Sequence, residues 1–178
     1  RYSAPSYLYG ETKHAFALQV LNEIIGGGTT SRLYQSLVVD KSLAVAAGSW
    51  YRAESIGPSV FGFYASPQEG VSIELLEKSI DREIRQVLKD GVTKEEVRAA
   101  ITRLQRTAIF AKDSVTAPAR IIGSALASGR SVRDIEDWPN KVSEVVKDDV
   151  IAAAEWVFRI NRSVTATLLP TSGTQRKP

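Results

Sequence analysis

The sequence predicts an α+β fold in which a mainly antiparallel sheet is covered by helices. Residues 43–52 and 58–66 are strand-like, and the short stretch 53–57 between them has a length suited to a hairpin. Residues 71–158 then hold several helical patterns, and a final alternating stretch at 162–169 predicts one more strand. Strands gathered in a hairpin and helices kept apart from them are typical of α+β domains.

Length and composition predict one ordinary globular domain. The chain has 178 residues, of which 43% are hydrophobic and 24% are charged, and this is enough for one buried core. We interpret residues 1–170 as the domain and the polar residues 171–178 as a flexible tail. No apolar run approaches the roughly 20 residues of a membrane span. The chain lacks cysteine, which excludes disulfides and thiolate chemistry.

Charge gives little support to nucleic-acid binding. The formal net charge is only +3, and three arginines share one predicted helix with two glutamates: Arg98, Arg103, Arg106, Glu95 and Glu96. A mixed, solvated helix face explains this pattern, because a nucleic-acid surface would need more interleaved aromatic residues and fewer acids. A nucleic-acid-binding module is therefore a third hypothesis, which a salt-dependent binding assay would test.

The chain opens with a predicted edge strand and a buried helix. The segment from Tyr2 to Tyr9 is aromatic-rich and broken by Pro5, as at the end of an edge strand. From about Glu11, apolar residues recur at three- and four-residue spacing as far as Ile25. This dense apolar pattern predicts a well-buried helix.

A run of three glycines, Gly26-Gly27-Gly28, follows this helix. Glycine takes left-handed backbone angles without a steric clash, so the run predicts a helix stop with at least one positive φ. Ser31 should then cap a short second helix by accepting a backbone N–H, and Leu33 belongs to its apolar face. A phosphate cradle is the sharper alternative, but phosphate loops follow a strand and carry Gly-Lys-Ser/Thr or a third spaced glycine. Nucleotide binding is therefore not expected.

The remaining elements follow from periodicity and capping signals. Gly62 lies within the second hairpin strand and indicates a bulge or close packing. An apolar stripe starting at Val71 predicts a surface helix that ends at Lys89-Asp90-Gly91. Thr93 and Glu96 form a predicted capping box for the next helix. Three more helical stretches are expected, at 114–128, at 132–145 with a break near Trp138-Pro139, and at 148–158.

The glycine segment and its continuation carry a resemblance to a known family. Gly26-Gly27-Gly28-x-x-Ser31-Arg32-Leu33-Tyr34-Gln35-x-Leu37, followed by Lys41-Ser42-Leu43-Ala44, resembles the C-terminal-type inactive domain of the insulinase-like (pitrilysin-type) zinc peptidases. The resemblance extends from Tyr2-x-Ala4-Pro5 to Leu168-Leu169-Pro170. It implies an α+β domain of a clam-shell enzyme with two such domains in each half. The chain starts at Arg1, lacks methionine and opens within a predicted strand, so we expect a fragment of a longer parent protein.

The residues offer no zinc site and no nucleophilic triad. A catalytic zinc needs three protein ligands, whereas this chain has one histidine, His14, and no His-x-x-Glu-His motif. We therefore expect His14 to be structural and zinc to be absent from this fragment, and the resemblance implies zinc in the parent. Ser31 or Ser49 could pair with His14 in principle, but no Gly-x-Ser-x-Gly elbow supports either pair.

The resemblance also implies a second functional element, an arginine and a tyrosine seven residues apart. In family members that carry them, they contact the substrate from the domain that faces the zinc. The matching positions here are Val38 and Val45. Valine cannot hydrogen-bond a peptide carbonyl or a developing oxyanion. We therefore expect no direct role in catalysis, and we expect a paralogous subunit to supply the missing pair.

Two functional hypotheses follow from this resemblance. In the first, the chain is a non-catalytic domain that closes the substrate chamber of a zinc metalloendopeptidase and holds domain or subunit contacts. Its partners would be the zinc-bearing N-terminal domain of the same parent, the paralogous subunit and a peptide substrate. In the second, it is a scaffold domain of a catalytically dead peptidase-like protein. The presence or absence of His-x-x-Glu-His upstream would separate the two. A periplasmic or cell-envelope location is an expectation by analogy alone.

Overall fold

The structure is a computed structural model that describes residues 1–169. Within these residues the chain forms a three-stranded sheet and eight helices. The three strands are β1 (Tyr2–Ala4), β2 (Ala44–Tyr51) and β3 (Ser59–Pro67). The helices are α1 (Ala15–Gly26), α2 (Arg32–Tyr34), α3 (Ile73–Asp90), α4 (Lys94–Lys112), α5 (Ala117–Ala127), α6 (Val132–Glu136), α7 (Trp138–Ser143) and α8 (Lys147–Val157). A 3₁₀ turn at Thr12–His14 precedes α1, a wider π turn at Gln35–Asp40 continues α2, and a second 3₁₀ turn lies at Ile160–Arg162. The predicted α+β class is confirmed.

The sheet is antiparallel throughout, with the spatial order β1-β3-β2. Phe61 of β3 lies opposite Tyr2 on one side and opposite Tyr51 on the other. The predicted hairpin is therefore present, and β1 is an edge strand that ends before Pro5, whose missing N–H cannot continue a ladder. A bulge interrupts β2 between Ala44 and Ala46, so Val45 has no partner in the register.

The core lies between one face of the sheet and the helices. Helix α1 packs on β2, α3 packs on β3, and α8 packs on β1 and α1. Phe158, just after α8, places its ring 5.3 Å from the rings of both Tyr2 and Phe61. Burial of these side chains provides most of the free energy that holds the layers together. The fully buried side chains with the largest volumes are Phe61, Leu18, Leu21, Ile25, Leu33, Leu37, Val20, Val92, Val142, Val150, Val157 and Pro5.

The helices α3 and α4 begin within two residues of the starts predicted from the sequence. The Thr93 hydroxyl accepts the N–H of Glu96 at 3.1 Å, and the Glu96 carboxylate accepts the N–H of Thr93 at 2.7 Å. The predicted capping box is therefore confirmed. Helix α3 begins at Ile73 rather than at Val71, because the Ser72 hydroxyl accepts the N–H of Leu75 and sets the first turn there.

A polar network connects the N-terminal segment to the later helices. Tyr7 accepts a hydrogen bond from Trp138 Nε1 at 3.0 Å, and Gln19 Nε2 also donates to it. The guanidinium of Arg130 lies 4.2 Å from the centre of the Tyr7 ring and pairs with Glu54 at 3.4 Å. Burial raises the pKa of the Tyr7 hydroxyl, so it stays protonated and structural.

The predicted strand at 162–169 is wrong for this chain. Ile160–Arg162 form a 3₁₀ turn, and Ser163 makes a single antiparallel bridge to Tyr2. Val164 exchanges two backbone hydrogen bonds with Arg1, and residues 165–169 then continue outside any strand. A strand forms only where a neighbour can complete its hydrogen bonds, and alternation in sequence cannot supply that neighbour. The predicted tail at 171–178 lies outside the described residues.

Candidate functional site

The glycine turn lies where the end of α1 meets strand β2. A Cβ on Gly26 would lie 2.7 Å from the carbonyl carbon of Gly48 and still closer to Ser49, so only glycine fits against the strand backbone. A Cβ on Gly27 would lie 2.7 Å from Cα of Glu23, one helical turn back. Gly28 has a φ of +150°, which is the positive value expected in this run. Close packing and backbone conformation therefore both require glycine here.

Ser31 does not cap α2 in the expected way. It occupies the position before the helix, but its hydroxyl makes no capping bond to a backbone N–H. Instead Ser31 Oγ donates to the carbonyl oxygen of Gly28 at 2.6 Å, and the Ser31 N–H donates to the same oxygen at 3.1 Å. The hydroxyl thus stabilises the turn that runs from Gly28 to Ser31. The expectation of a side-chain N-cap is wrong, because the hydroxyl is turned towards the Gly28 carbonyl and makes no bond to a backbone N–H of α2.

Arg32 holds together two segments that are distant in sequence. Its Nε and one terminal nitrogen donate to the two carboxylate oxygens of Glu96, each at 2.7 Å. The same terminal nitrogen donates to the carbonyl of Gly91 at 3.1 Å. Burial by itself would raise the pKa of Glu96, but the hydrogen bonds from Arg32 and Thr93 outweigh it and hold the pKa below its usual value. Next to Arg32, Leu33 is fully buried in the core.

Val38 and Val45 lie on adjacent elements at the sheet edge. Val38 belongs to the π turn and packs partly buried against the core. Val45 is at the β2 bulge with 57% of its surface exposed. Neither side chain can donate or accept a hydrogen bond. At these two positions the chain therefore offers an apolar surface.

A serine, a lysine and a glutamate meet beside the π turn, a grouping that the sequence analysis missed. Ser36 Oγ donates to Glu83 Oε1 at 2.5 Å, and Lys41 Nζ lies 2.6 Å from Ser36 Oγ and 3.0 Å from Glu83 Oε1. A serine–lysine dyad needs a neutral lysine to act as base. Here Lys41 Nζ instead forms an ion pair with the Glu83 carboxylate. The cluster therefore anchors the π turn to α3.

The two serine–histidine pairs considered above do not form. Ser49 Oγ donates to Asn22 Oδ1 at 2.9 Å, near the C-terminal end of α1. His14 lies at the other end of this helix, with its ring 5.9 Å from that of Trp156. Twelve helical residues separate its ends, about 18 Å at 1.5 Å per residue. Burial lowers the pKa of His14, in keeping with a neutral structural ring. Within residues 1–169, no group of three His, Cys, Asp or Glu side chains is arranged to hold a metal ion.

The sheet face turned away from the helices carries two aromatic rings above glycines. Trp50 lies directly opposite Gly62, and Tyr64 directly opposite Gly48. A Cβ on Gly62 would meet the Trp50 ring, and a Cβ on Gly48 would lie 2.7 Å from the Tyr64 hydroxyl, so each aromatic side chain covers its glycine. We call Trp50 and Tyr64 the aromatic platform. Gly62 was expected at a bulge or a close contact, and the close contact is what the structure has.

Cationic side chains flank the platform, and one of its rings is exposed. The guanidinium carbons of Arg52 and Arg1 lie 5.3 Å and 5.7 Å from the centre of the Trp50 ring. Tyr64 is 53% exposed. Flat aromatic rings with flanking cations can contact apolar side chains and acidic groups of an extended peptide. A glycine two residues before an aromatic residue on both hairpin strands was the sequence signal that could have revealed the platform.

No helix within the described part of the chain is both long and apolar enough to span a bilayer. Helix α3, for example, buries a single stripe that includes Leu76, Ile84 and Val87 and leaves its other side exposed.

Comparison with known proteins gives consistent matches. The sequence profile of the peptidase M16 inactive domain matches residues 3–104, more than half of the chain. An uncharacterized zinc protease of Rickettsia felis is 30% identical over 150 residues, which are 84% of this chain and 36% of that protein. The chain spans about a third of the length of the curated relatives it matches.

Two solved structures share the fold. The inactive peptidase domain of a Bordetella parapertussis protein superimposes with a TM-score of 0.82 at 18% identity, over 96% of this chain and 90% of that one. A protease from Helicobacter pylori superimposes with a TM-score of 0.80 at 22% identity, over 90% of this chain and 38% of that one. At these identities the likeness supports the architecture, and the function has to be argued from the residues.

Proposed function

The chain belongs to the peptidase M16 inactive-domain family, and from that premise we propose that it is the non-catalytic domain that closes the substrate chamber of a zinc metalloendopeptidase. In this proposal the parent protein hydrolyses peptides. An N-terminal domain of the same parent holds the zinc. The 178-residue chain contributes surface to the chamber and to domain or subunit contacts. Among residues 1–169, no three His, Cys, Asp or Glu side chains are grouped so as to hold a metal ion.

One observation carries the proposal, namely the uneven covering of the sheet. Helices pack on the face that includes Phe61 and Ser49, both buried. The opposite face bears the aromatic platform, with Tyr64 half exposed and Arg52 beside Trp50. An isolated domain gains nothing from leaving two rings on an open sheet face. A chamber wall, by contrast, needs a rigid surface that can contact extended peptides of many different sequences.

The experiment measures peptide cleavage by the parent protein together with any partner subunit it requires. Trp50→Ala combined with Tyr64→Ala should raise KM for peptide substrates several-fold with little change in kcat, because the platform binds substrate without touching the reacting atoms. Phe110→Ala is the matched control, since Phe110 is an aromatic residue of α4 that is 71% exposed and lies outside the sheet. An unchanged KM in the double variant with normal thermal stability would contradict the proposal.

A scaffold domain in a catalytically dead protein is the alternative. It is favoured by Val38 and Val45, which place apolar side chains where active family members are expected to carry hydrogen-bond donors. The same parent preparation separates the two functions. Chelator-sensitive cleavage by the parent, alone or mixed with a paralogous subunit, supports the peptidase role, and complete inactivity under both conditions supports the scaffold.

A further inference from the structure

A groove of about 500 Å³ runs along the outer edge of strand β3. One wall is the stretch 63–67 of β3, and the other is the stretch 163–168 near the C-terminal end of the described chain. The floor is the apolar stripe of α3, formed by Ile73, Leu76, Ile80 and Ile84, with Glu77 and Asp81 among its lining residues. The groove thus has two backbone walls and an apolar floor.

Strand β1 leads into one end of this groove. Its three residues pair with Ser59, Val60 and Phe61 only, so no strand of residues 1–169 pairs with the rest of β3 on that edge. Arg1 also exchanges two hydrogen bonds with Val164, each of 2.9 Å. At the Arg1 end, therefore, β1 lies between the two walls and pairs with both.

The hydrogen bonds of Arg1 fix which backbone groups face the groove. In a strand, the N–H and C=O of one residue point to the same side, and those of the next residue point to the other. Since Arg1 bonds to Val164, Tyr2 bonds to its partner Phe61 on β3. The backbone N–H and C=O groups of Phe63 and Ala65 therefore face the groove, and those of Gly62 and Tyr64 face β2. Two unpaired edges that face each other across a gap of one strand are matched to an inserted strand.

We propose that this groove holds one further stretch of β-strand, and that its occupant is the segment of the parent chain that leads directly into Arg1. The segment extends β1 backwards in the same register. The first residue before Arg1 lies opposite Phe63, the second opposite Tyr64, and about five residues reach the level of Pro67. With this segment in place, residues 165–168 gain the partner that Ser163 and Val164 already have in β1 and Arg1, and the expected C-terminal strand can form.

This arrangement sets how the upstream part of the parent joins the domain. A strand in the middle of a sheet is held by hydrogen bonds on both edges and by the α3 stripe below it. The junction is therefore rigid and enters at the Pro67 end of the sheet, which is also the end where β2 starts, since Ala44 lies opposite Pro67. A flexible linker would leave the two domains free to reorient.

Disulfide cross-linking of the parent chain tests both occupant and register. The second residue before Arg1 and Tyr64 form a non-hydrogen-bonded pair, with Cα atoms about 4.5 Å apart and side chains on the same open face. That spacing suits a disulfide. A cysteine at this upstream position combined with Tyr64→Cys should cross-link within one molecule upon oxidation. Moving the upstream cysteine to the first residue before Arg1 is the matched control, because its side chain points to the helices, and it should give at least tenfold less product.

Hydrogen exchange gives a second readout that needs no substitution. The amides of Phe63 and Ala65 should exchange at least 100-fold more slowly in the parent than in the 178-residue chain. The amides of Gly62 and Tyr64 pair with β2 and should be protected in both. Equal exchange of Phe63 and Ala65 in the two proteins would overturn the proposal. Cross-links that join two molecules would overturn it too, because the occupant would then be a second copy.

Discussion

Arg32 and Glu96 lie 64 residues apart in sequence and form a two-pronged ion pair, with both N–O distances at 2.7 Å. The Glu96 carboxylate also accepts the N–H of Thr93, and Arg32 also donates to the Gly91 carbonyl. A single contact therefore connects the segment after the glycine turn to the loop between α3 and α4 and to the first turn of α4. The arginine of the Ser-Arg-Leu motif therefore has a structural role, since it connects segments that are distant in sequence.

Removal of this arginine should destabilise the domain. Arg32→Ala should lower the free energy of unfolding by about 2 kcal/mol, because charge-assisted, two-pronged hydrogen bonds to a partly buried carboxylate are lost. Arg32→Lys should recover only part of this, since an ammonium cannot bridge both oxygens. Urea unfolding of the 178-residue chain measures both values. If the lysine variant matched the wild type, charge alone and not the fork would be responsible.

Stability should depend on acid pH through Glu96. The pKa of this carboxyl is lowered in the folded state, so its contribution is complete above the unfolded value of about 4.5 and is lost as pH falls through the lower folded value. The difference in unfolding free energy between the wild type and Glu96→Gln should therefore be constant near pH 7 and shrink below about pH 4.5. Denaturant titrations at several pH values test the sign. A difference that grew on acidification would contradict it.

Gly26 should be the least replaceable glycine of the turn. Gly26→Val would push a branched side chain into the backbone at Gly48 and Ser49, so we expect a loss of about 3 kcal/mol or failure to fold. Gly28→Val should cost on the order of 1 kcal/mol or more through its positive φ. Gly57→Val is the control, since a Cβ there would meet nothing within 4 Å. Thermal unfolding ranks the three, and equal tolerance would refute the packing argument.

The 178-residue chain should bind no stoichiometric zinc at a catalytic site. It has one histidine and no cysteine, whereas catalytic zinc takes three protein ligands. Elemental analysis after dialysis against a zinc-containing buffer, followed by buffer without zinc, measures this directly. One tightly held zinc ion per chain, or chelator-sensitive peptidase activity, would show that the domain is not ligand-free.

The parent should need a second, different chain for full activity. Val38 and Val45 cannot orient a substrate carbonyl or stabilise negative charge opposite a metal, so we expect a paralogous subunit to provide an arginine and a tyrosine. Peptidase activity should emerge when the two proteins are mixed and be lost when that arginine or tyrosine is removed. Val38→Arg with Val45→Tyr in the parent should restore part of it without the paralogue. Full activity of the unmodified parent alone would refute this prediction.

Local signals in the sequence were enough to predict most elements. The apolar spacing from Ala15 to Ile25 predicted α1, Thr93 and Glu96 predicted the start of α4, and the break near Trp138-Pro139 separates α6 from α7. These features depend on residues within one or two turns of each other, so neighbouring chain segments are sufficient to specify them. The same holds for Gly28, whose backbone angle is a local property.

Contacts between distant segments were decided only by the tertiary structure. The carboxylate of Glu83 accepts a hydrogen bond from Ser36, and the Trp50 ring covers Gly62 on the neighbouring strand. The stretch after Arg162 has the alternation of a strand but does not form one, because a strand is stable only beside a partner that completes its hydrogen bonds. The sequence by itself determined the helices, the hairpin and the family of this chain. Which backbone edges are paired, and which sheet face is left open, depended on how the layers pack.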